Sequence, residues 1–197
     1  MDSYSLAIEV MRNALSDDVA FRHRFAAFLQ LIDDRGEWSP TNPEGRRIPW
    51  RLAGEARAQL PHLFDAPGVH LFGVNHYPIY VGMTKQTLWK RLSGRYLSEP
   101  YGQFVLADTY SASLIARGID GFPPDVRAWY AARFGSSTVR LRHAVEMARL
   151  GVASIWIALL PLSNTEEIEP FKKAVIRAAS ALIASAGAPR LLNQKDV

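Results

Sequence analysis

Two short apolar runs on either side of a four-residue turn segment, with a doubly striped helix behind them, constrain this chain more than any other stretch. The runs are Gly68-Val69-His70-Leu71-Phe72-Gly73-Val74 and Ile79-Tyr80-Val81-Gly82-Met83-Thr84, and Asn75-His76-Tyr77-Pro78 lies between them. Apolar runs of this length flanking a turn predict a β-hairpin. Pro78 suits the first residue of the second strand, where a missing N–H costs least. Alternation puts Tyr80 and Gly82 on one face of that strand and Ile79, Val81 and Met83 on the other. In the helix that follows, Leu88, Leu92 and Tyr96 fall at i, i+4 and i+8 and share a face that can bury. Arg91 and Arg95 form a basic stripe beside it.

Residues 1–66 read as a helical N-terminal extension. Leu6, Val10, Met11 and Ala14 recur at helical spacing within residues 4–15. Ser16-Asp17-Asp18 then offers N-cap oxygens for a second helix. That helix gathers Phe21, Phe25, Phe28, Leu29 and Ile32 on one face and presents Arg22, His23 and Arg24 on the other, a solvated face first and a nucleic-acid contact second. Gly36 suits its C-terminal end. Residues 36–49 carry Pro40, Pro43, Gly45 and Pro49 and read as a loop. Arg46-Arg47 within it is either a pair that reaches a phosphate backbone or solubilising surface charge. A short helix is predicted over about 50–60.

Beyond the hairpin and its helix, residues 97–151 read as a helical insertion. Residues 153–160 are almost continuously apolar, which predicts a central strand covered on both faces. A last helix is predicted over about 170–186, since Pro170 suits a first helical position. Phe171, Ala174, Val175, Ala178 and Leu182 line one of its faces, and Ile176 and Ile183 widen it. Leu191-Leu192-Asn193 follows Pro189. The order β-β-α, helical insertion, β-α over residues 67–197 predicts an α+β fold: a small three-stranded antiparallel sheet surrounded by helices.

Composition narrows the function class. Hydrophobic residues are 48% and charged residues 21% of the 197, which supplies an ordinary globular core. There is no cysteine, so disulfides and thiolate zinc sites are excluded. No signal-peptide pattern opens the chain and no apolar run approaches the roughly 18 residues of a membrane span, so a cytoplasmic protein without membrane contact is expected. The formal net charge of +4 favours a polyanionic partner.

The ordered set of a strand, a turn, Tyr80-Val81-Gly82-x-Thr84 and then Leu88-x-x-Arg91-Leu92 resembles the GIY-YIG nuclease family. Tyr80-Val81-Gly82 matches the family's second triplet. Gly68-Val69-His70 matches the first, with histidine where the family usually has tyrosine. Arg91 occupies the place of the family's helix arginine, and Arg95 lies where several members carry a histidine. Asn193 fits the family's C-terminal asparagine. The resemblance covers about residues 68–193 and implies a DNA endonuclease that hydrolyses phosphodiester bonds with one Mg²⁺ or Mn²⁺. It implies catalytic roles for His70, Tyr80, Arg91, Arg95 and Asn193.

The chemistry of these residues is compatible with that role. Phosphodiester hydrolysis needs a base for water, cations on the developing charge and help for the leaving oxygen. An imidazole is a better base than a phenol near neutral pH, because its unperturbed pKa is about 6.5 against roughly 10. A guanidinium holds phosphate with a bidentate fork. Each residue also has a plainer explanation: Tyr80 as a half-buried packing ring, His70 as a hydrogen-bonded strand-end histidine, Arg91 as a solvated helix residue. The departure from the family is its glutamate, expected about three turns before the asparagine. Residues 176–182 contain no carboxylate. Glu169, near the start of the last helix, is the remaining candidate metal ligand, with Glu146 a weaker substitute. A carboxylate there equally complements the helix dipole. The alternative to an endonuclease is therefore a catalytically degenerate nucleic-acid-binding protein on the same fold, and a further alternative is an α+β interaction protein with a chance motif.

Overall fold

The structure, a computed structural model, describes residues 1–74, 77–93, 155–185, 191 and 193. The insertion expected over 97–151 lies outside the described residues, as do Arg95 and Glu146.

The described chain is α+β. Its sheet has four antiparallel strands, β1 (Ile48–Pro49), β2 (Gly68–Val74), β3 (Tyr77–Thr84) and β4 (Ile155–Pro161), in the order β1-β4-β2-β3. The expected hairpin is β2–β3, with His70 opposite Gly82 and Phe72 opposite Tyr80. Pro78 sits opposite Gly73, where the ladder shifts register. The expected central strand is β4, whose residues Trp156, Ile157, Ala158, Leu159 and Leu160 are all buried.

The expectation of three strands is corrected by β1. Ile48 pairs with Ile157 and Pro49 with Trp156, inside the segment read as loop. Two residues are too few to alternate visibly, and proline argues against a strand unless the strand is at an edge. β1 is such an edge.

The described helices are α1 (Ser3–Asn13), α2 (Asp18–Arg35), α3 (Ala53–Gln59), α4 (Pro61–Phe64), α5 (Leu88–Leu92) and α6 (Ile168–Ser185), with a 3₁₀ turn at Trp50–Leu52. Local chemistry sets their ends. The Asp17 carboxylate accepts from the backbone N–H of Val19 at 2.9 Å and of Ala20 at 3.1 Å and starts α2. Gly36 closes α2 at φ 72°, a conformation that only a residue without Cβ adopts cheaply. The Thr87 hydroxyl accepts from the Lys90 N–H at 3.1 Å and starts α5. Among the described residues no helix is long and apolar enough to cross a membrane.

The N-terminal helices and the sheet share one core. Phe21, Phe25, Phe28 and Ile32 of α2 are buried together with Phe171, Val175 and Ala178 of α6. Phe21 meets Phe171 edge-on, with ring centroids 5.7 Å apart. The buried Tyr4 hydroxyl donates to the Leu159 carbonyl and ties α1 to β4. Arg46 and Arg47 follow neither sequence reading. The Arg46 guanidinium is buried 5.0 Å from the Tyr4 ring centroid and donates to the Pro43 and Gly45 carbonyls. Arg47 pairs with Asp33 at 3.2 Å.

Two glycines of different surroundings test this packing. A methyl group at Gly73 would overlap the buried Trp156 indole, whereas one at Gly54 in α3 would meet Trp89 only at 3.9 Å. Gly73→Ala is expected to lower the unfolding free energy by about 1–3 kcal/mol through overpacking. Gly54→Ala is expected to leave it unchanged or raise it by about 0.5–1 kcal/mol, because alanine is the better helix residue. Urea denaturation of the two variants measures both.

Candidate nucleic-acid interface

The candidate site is built on the face of the hairpin that carries His70, Phe72 and Tyr80. Pairing of His70 with Gly82, and of Phe72 with Tyr80, brings the two signature triplets side by side. The His70 and Tyr80 ring centroids lie 6.4 Å apart, and His70 meets Phe72 edge-on at 5.7 Å. The third position of Tyr80-Val81-Gly82 must be glycine here, because any Cβ would overlap the His70 imidazole. Tyr80 is half-buried and His70 fully buried.

Burial dominates the His70 electrostatics. It pushes the imidazolium pKa down to about 3, with the positive charges of Arg91 and Lys172 acting in the same direction. The imidazole is therefore neutral at pH 7 and a weak base, whereas the sequence reading asks it to accept a proton near neutrality.

Arg91 comes from α5. Leu88 and Leu92 on that helix are buried, which fixes it against the sheet and leaves Arg91 half-buried beside them. Both α5 and α6 contact β2 and β3. Lys172 comes from α6 and was not singled out by the sequence reading. The signal for it exists: Lys172, Ile176, Ala179 and Ile183 fall at i, i+4, i+7 and i+11, and the last three are buried. A half-buried lysine thus continues an otherwise apolar, inward-facing stripe.

Asn193 is held at the free edge of the sheet. Its Oδ1 accepts from the Val81 N–H at 2.9 Å, and its Nδ2 donates to the Val81 carbonyl at 2.7 Å. The carboxamide thereby supplies both hydrogen bonds that a neighbouring strand would give to the middle residue of Tyr80-Val81-Gly82. This arrangement makes Asn193 a positioning residue.

Glu169 is arranged otherwise. It is exposed and pairs with Lys173 at 3.0 Å. The hydrogen bond and charge of Lys173, with the charges of Lys85 and Lys172, hold its carboxyl below the usual range. Glu169, Lys85, Lys173, Glu166 and Arg177 line an open groove of about 550 Å³, whose lining includes none of His70, Tyr80 or Arg91. Among the described residues no three His, Asp or Glu side chains gather as a metal site. Two carboxylates, one of them already paired with an ammonium, in a groove shared with Lys85, Lys173 and Arg177 do not fit a divalent ion.

The described geometry thus brings His70 and Tyr80 together on β2 and β3, has the charges of Arg91 and Lys172 act on His70, and bonds Asn193 to Val81, next in sequence to Tyr80. No protein-family model, no curated protein and no solved structure matches the chain.

Two measurements test this geometry. A histidine whose folded pKa lies below its unfolded value adds stability that is complete above the unfolded pKa, about 6.5, and is lost as the pH falls toward the folded pKa of about 3. Urea denaturation is expected to show a loss of about 2 kcal/mol between pH 7.5 and pH 5, and His70→Gln should flatten that dependence. Separately, Asn193→Ala leaves both Val81 backbone groups without this partner and is expected to cost about 2–4 kcal/mol in the same assay at pH 7.

Proposed function

We propose that this chain is a GIY-YIG-like protein that engages the phosphodiester backbone of nucleic acid, DNA first, beside its His70–Tyr80 face, as a binding module. The observation that carries this reading is the placement of Arg91 on α5 and Lys172 on α6, two helices that both pack on β2 and β3, with the charges of both acting on the buried His70. A phosphodiester is the anion that such a pair suits: the guanidinium offers a planar fork and the ammonium a point charge. Tyr80 beside them offers a hydroxyl and an aromatic face. The basic balance of the whole chain, with a sequence pI near 9.5, supports a polyanion as the partner.

Hydrolysis of DNA at the same face, with one Mg²⁺ or Mn²⁺, is the second reading. What favours it is the register of the resemblance: His70 and Tyr80 of the two triplets share a face, Arg91 stands on the following helix, and Asn193 is bonded to Val81. Against it stand the weak basicity of His70 and the engagement of Glu169 with Lys173.

Two assays on the same preparations separate these readings. Binding of a labelled DNA duplex is expected to be salt-sensitive, and Arg91→Ala should weaken it and reduce the slope of log affinity against log salt by about 1. Supercoiled plasmid incubated with Mg²⁺ or Mn²⁺ should stay intact. Nicking by the wild type, lost in Tyr80→Phe, Arg91→Ala and Glu169→Gln, would establish the hydrolytic reading instead. A wild type with no salt-sensitive binding to DNA or RNA would overturn both.

A further inference from the structure

We propose that Arg57 and Trp89 are positioning residues for nucleic-acid binding: their stack sets the rotation of α5 and, through it, the place of Arg91. This inference rests on the nucleic-acid reading and deepens it by making residues 57–66, part of the helical extension, a working part of the site. The helix itself sets the need. As described, α5 is five residues long, too short to persist in water on its own backbone bonds. Leu88 and Leu92 are buried and anchor it along one line. Anchors on one line fix the distance of a helix from the sheet but leave its rotation to other contacts. At about 100° per residue, Trp89 and Arg91 fall on opposite sides of that line. Rotation that shifts Trp89 therefore shifts Arg91 as well.

Direct contacts hold Trp89 from the other side. The Arg57 guanidinium of α3 lies over its ring, 4.9 Å from the centroid, a cation–π arrangement. The buried Phe64 of α4 meets the indole edge-on, with ring centroids 6.0 Å apart. Asp65 fixes the guanidinium in turn: its Oδ1 accepts from Arg57 Nε at 3.0 Å and lies 2.9 Å from Nη2. Beside it, the Ala66 carbonyl accepts the Leu88 N–H at 2.8 Å, at the first residue of α5. Residues 57–66 thus grip α5 through one ring stack, one edge contact and one backbone bond. Arg57 is already engaged by a carboxylate and an indole, which suits it to bracing a neighbour more than to binding a phosphate itself. A binding group carried on a short helix needs this kind of support, because its own side chain cannot orient the element that bears it.

The test is a double-mutant cycle read by fluorescence anisotropy of a labelled DNA duplex across a salt series. It compares Trp89→Leu, Arg57→Ala and Arg57→Lys, each with Arg91 intact and with Arg91→Ala, on variants that thermal melts show to be folded. Trp89→Leu changes no charge and is expected to weaken binding about fivefold, with the slope of log affinity against log salt unchanged outside the Arg91 contribution of about 1. Arg57→Ala should weaken it about threefold, and Arg57→Lys, which keeps a cation over the indole, should restore most of the loss. In the Arg91→Ala background both Trp89→Leu and Arg57→Ala should change affinity less than about 1.5-fold, because the residue they position is gone. Hydrogen exchange of the Lys90 and Arg91 amides, which bond to Thr87, should speed up in Trp89→Leu with no ligand present. Losses that persist in full in the Arg91→Ala background would show direct contact with DNA and overturn the brace while leaving the nucleic-acid reading standing. So would a folded Trp89→Leu with wild-type affinity and wild-type exchange in α5. A wild type that binds neither DNA nor RNA would overturn the nucleic-acid reading and the positioning role together.

Discussion

Strand β2 is the constraint on which the rest of the described structure depends. It is paired along its length on both sides, to β3 and to β4. Val69 and Leu71 are fully buried on one face, and His70 and Phe72 on the other. A slip of one residue against either neighbour would exchange the two faces and place the imidazole among the aliphatic side chains. The register is therefore fixed by the burial of the same strand that carries the first signature triplet. β4 extends the constraint outward, because the Leu159 carbonyl accepts the Tyr4 hydroxyl and the Phe171–Phe21 contact joins α6 to α2. The N-terminal helices are part of what holds the sheet.

The site follows from that constraint through one costly feature, a fully buried histidine. A strand that must be covered on both faces has no solvated position for a titrating ring, so His70 is neutral where a surface histidine would titrate near 6.5. Its imidazole takes the place a side chain at position 82 would need, and glycine there is the steric consequence. Positive charge then comes from two helices packed on β2 and β3, with α5 carrying Arg91 and α6 carrying Lys172. Backbone geometry seats Tyr80 directly, because the Asn193 carboxamide binds the next residue.

Much of the fold was legible in the sequence, and for identifiable reasons. The hairpin showed in two apolar runs around a turn, β4 in an apolar run long enough for one strand, and α2 in its phenylalanine spacing and its Asp17 cap. β1 was not legible, because a two-residue edge strand ending in proline exists only by virtue of its partner. Arg46 and Arg47 misled for a similar reason. A basic pair among prolines and a glycine reads as a reaching loop, and only the Tyr4 ring and Asp33, distant in sequence, turn the two residues into internal braces. Of the candidate residues, motif order named His70, Tyr80, Arg91 and Asn193, and the structure pairs the strands of the first two and bonds Asn193 to Val81. Lys172 was overlooked because it stands next to Lys173 and reads as half of a surface pair. Only the buried stripe separates one lysine from the other.

The Asn193 bonds have a consequence for the order in which the molecule assembles. They join residues 112 apart in sequence, across everything between β3 and the segment after α6. A contact over so long a loop gains nothing until most of the intervening chain is in place, since closing the loop early costs entropy with little in return. The hairpin, by contrast, joins neighbouring strands and can form from local contacts. Tyr80-Val81-Gly82 is therefore paired along one side early and along the other only at the end. Until Asn193 docks, β3 is an open strand edge that exposes the Val81 N–H and carbonyl to any other extended chain. The residue that holds the backbone beside Tyr80 thus also covers that stretch of strand edge.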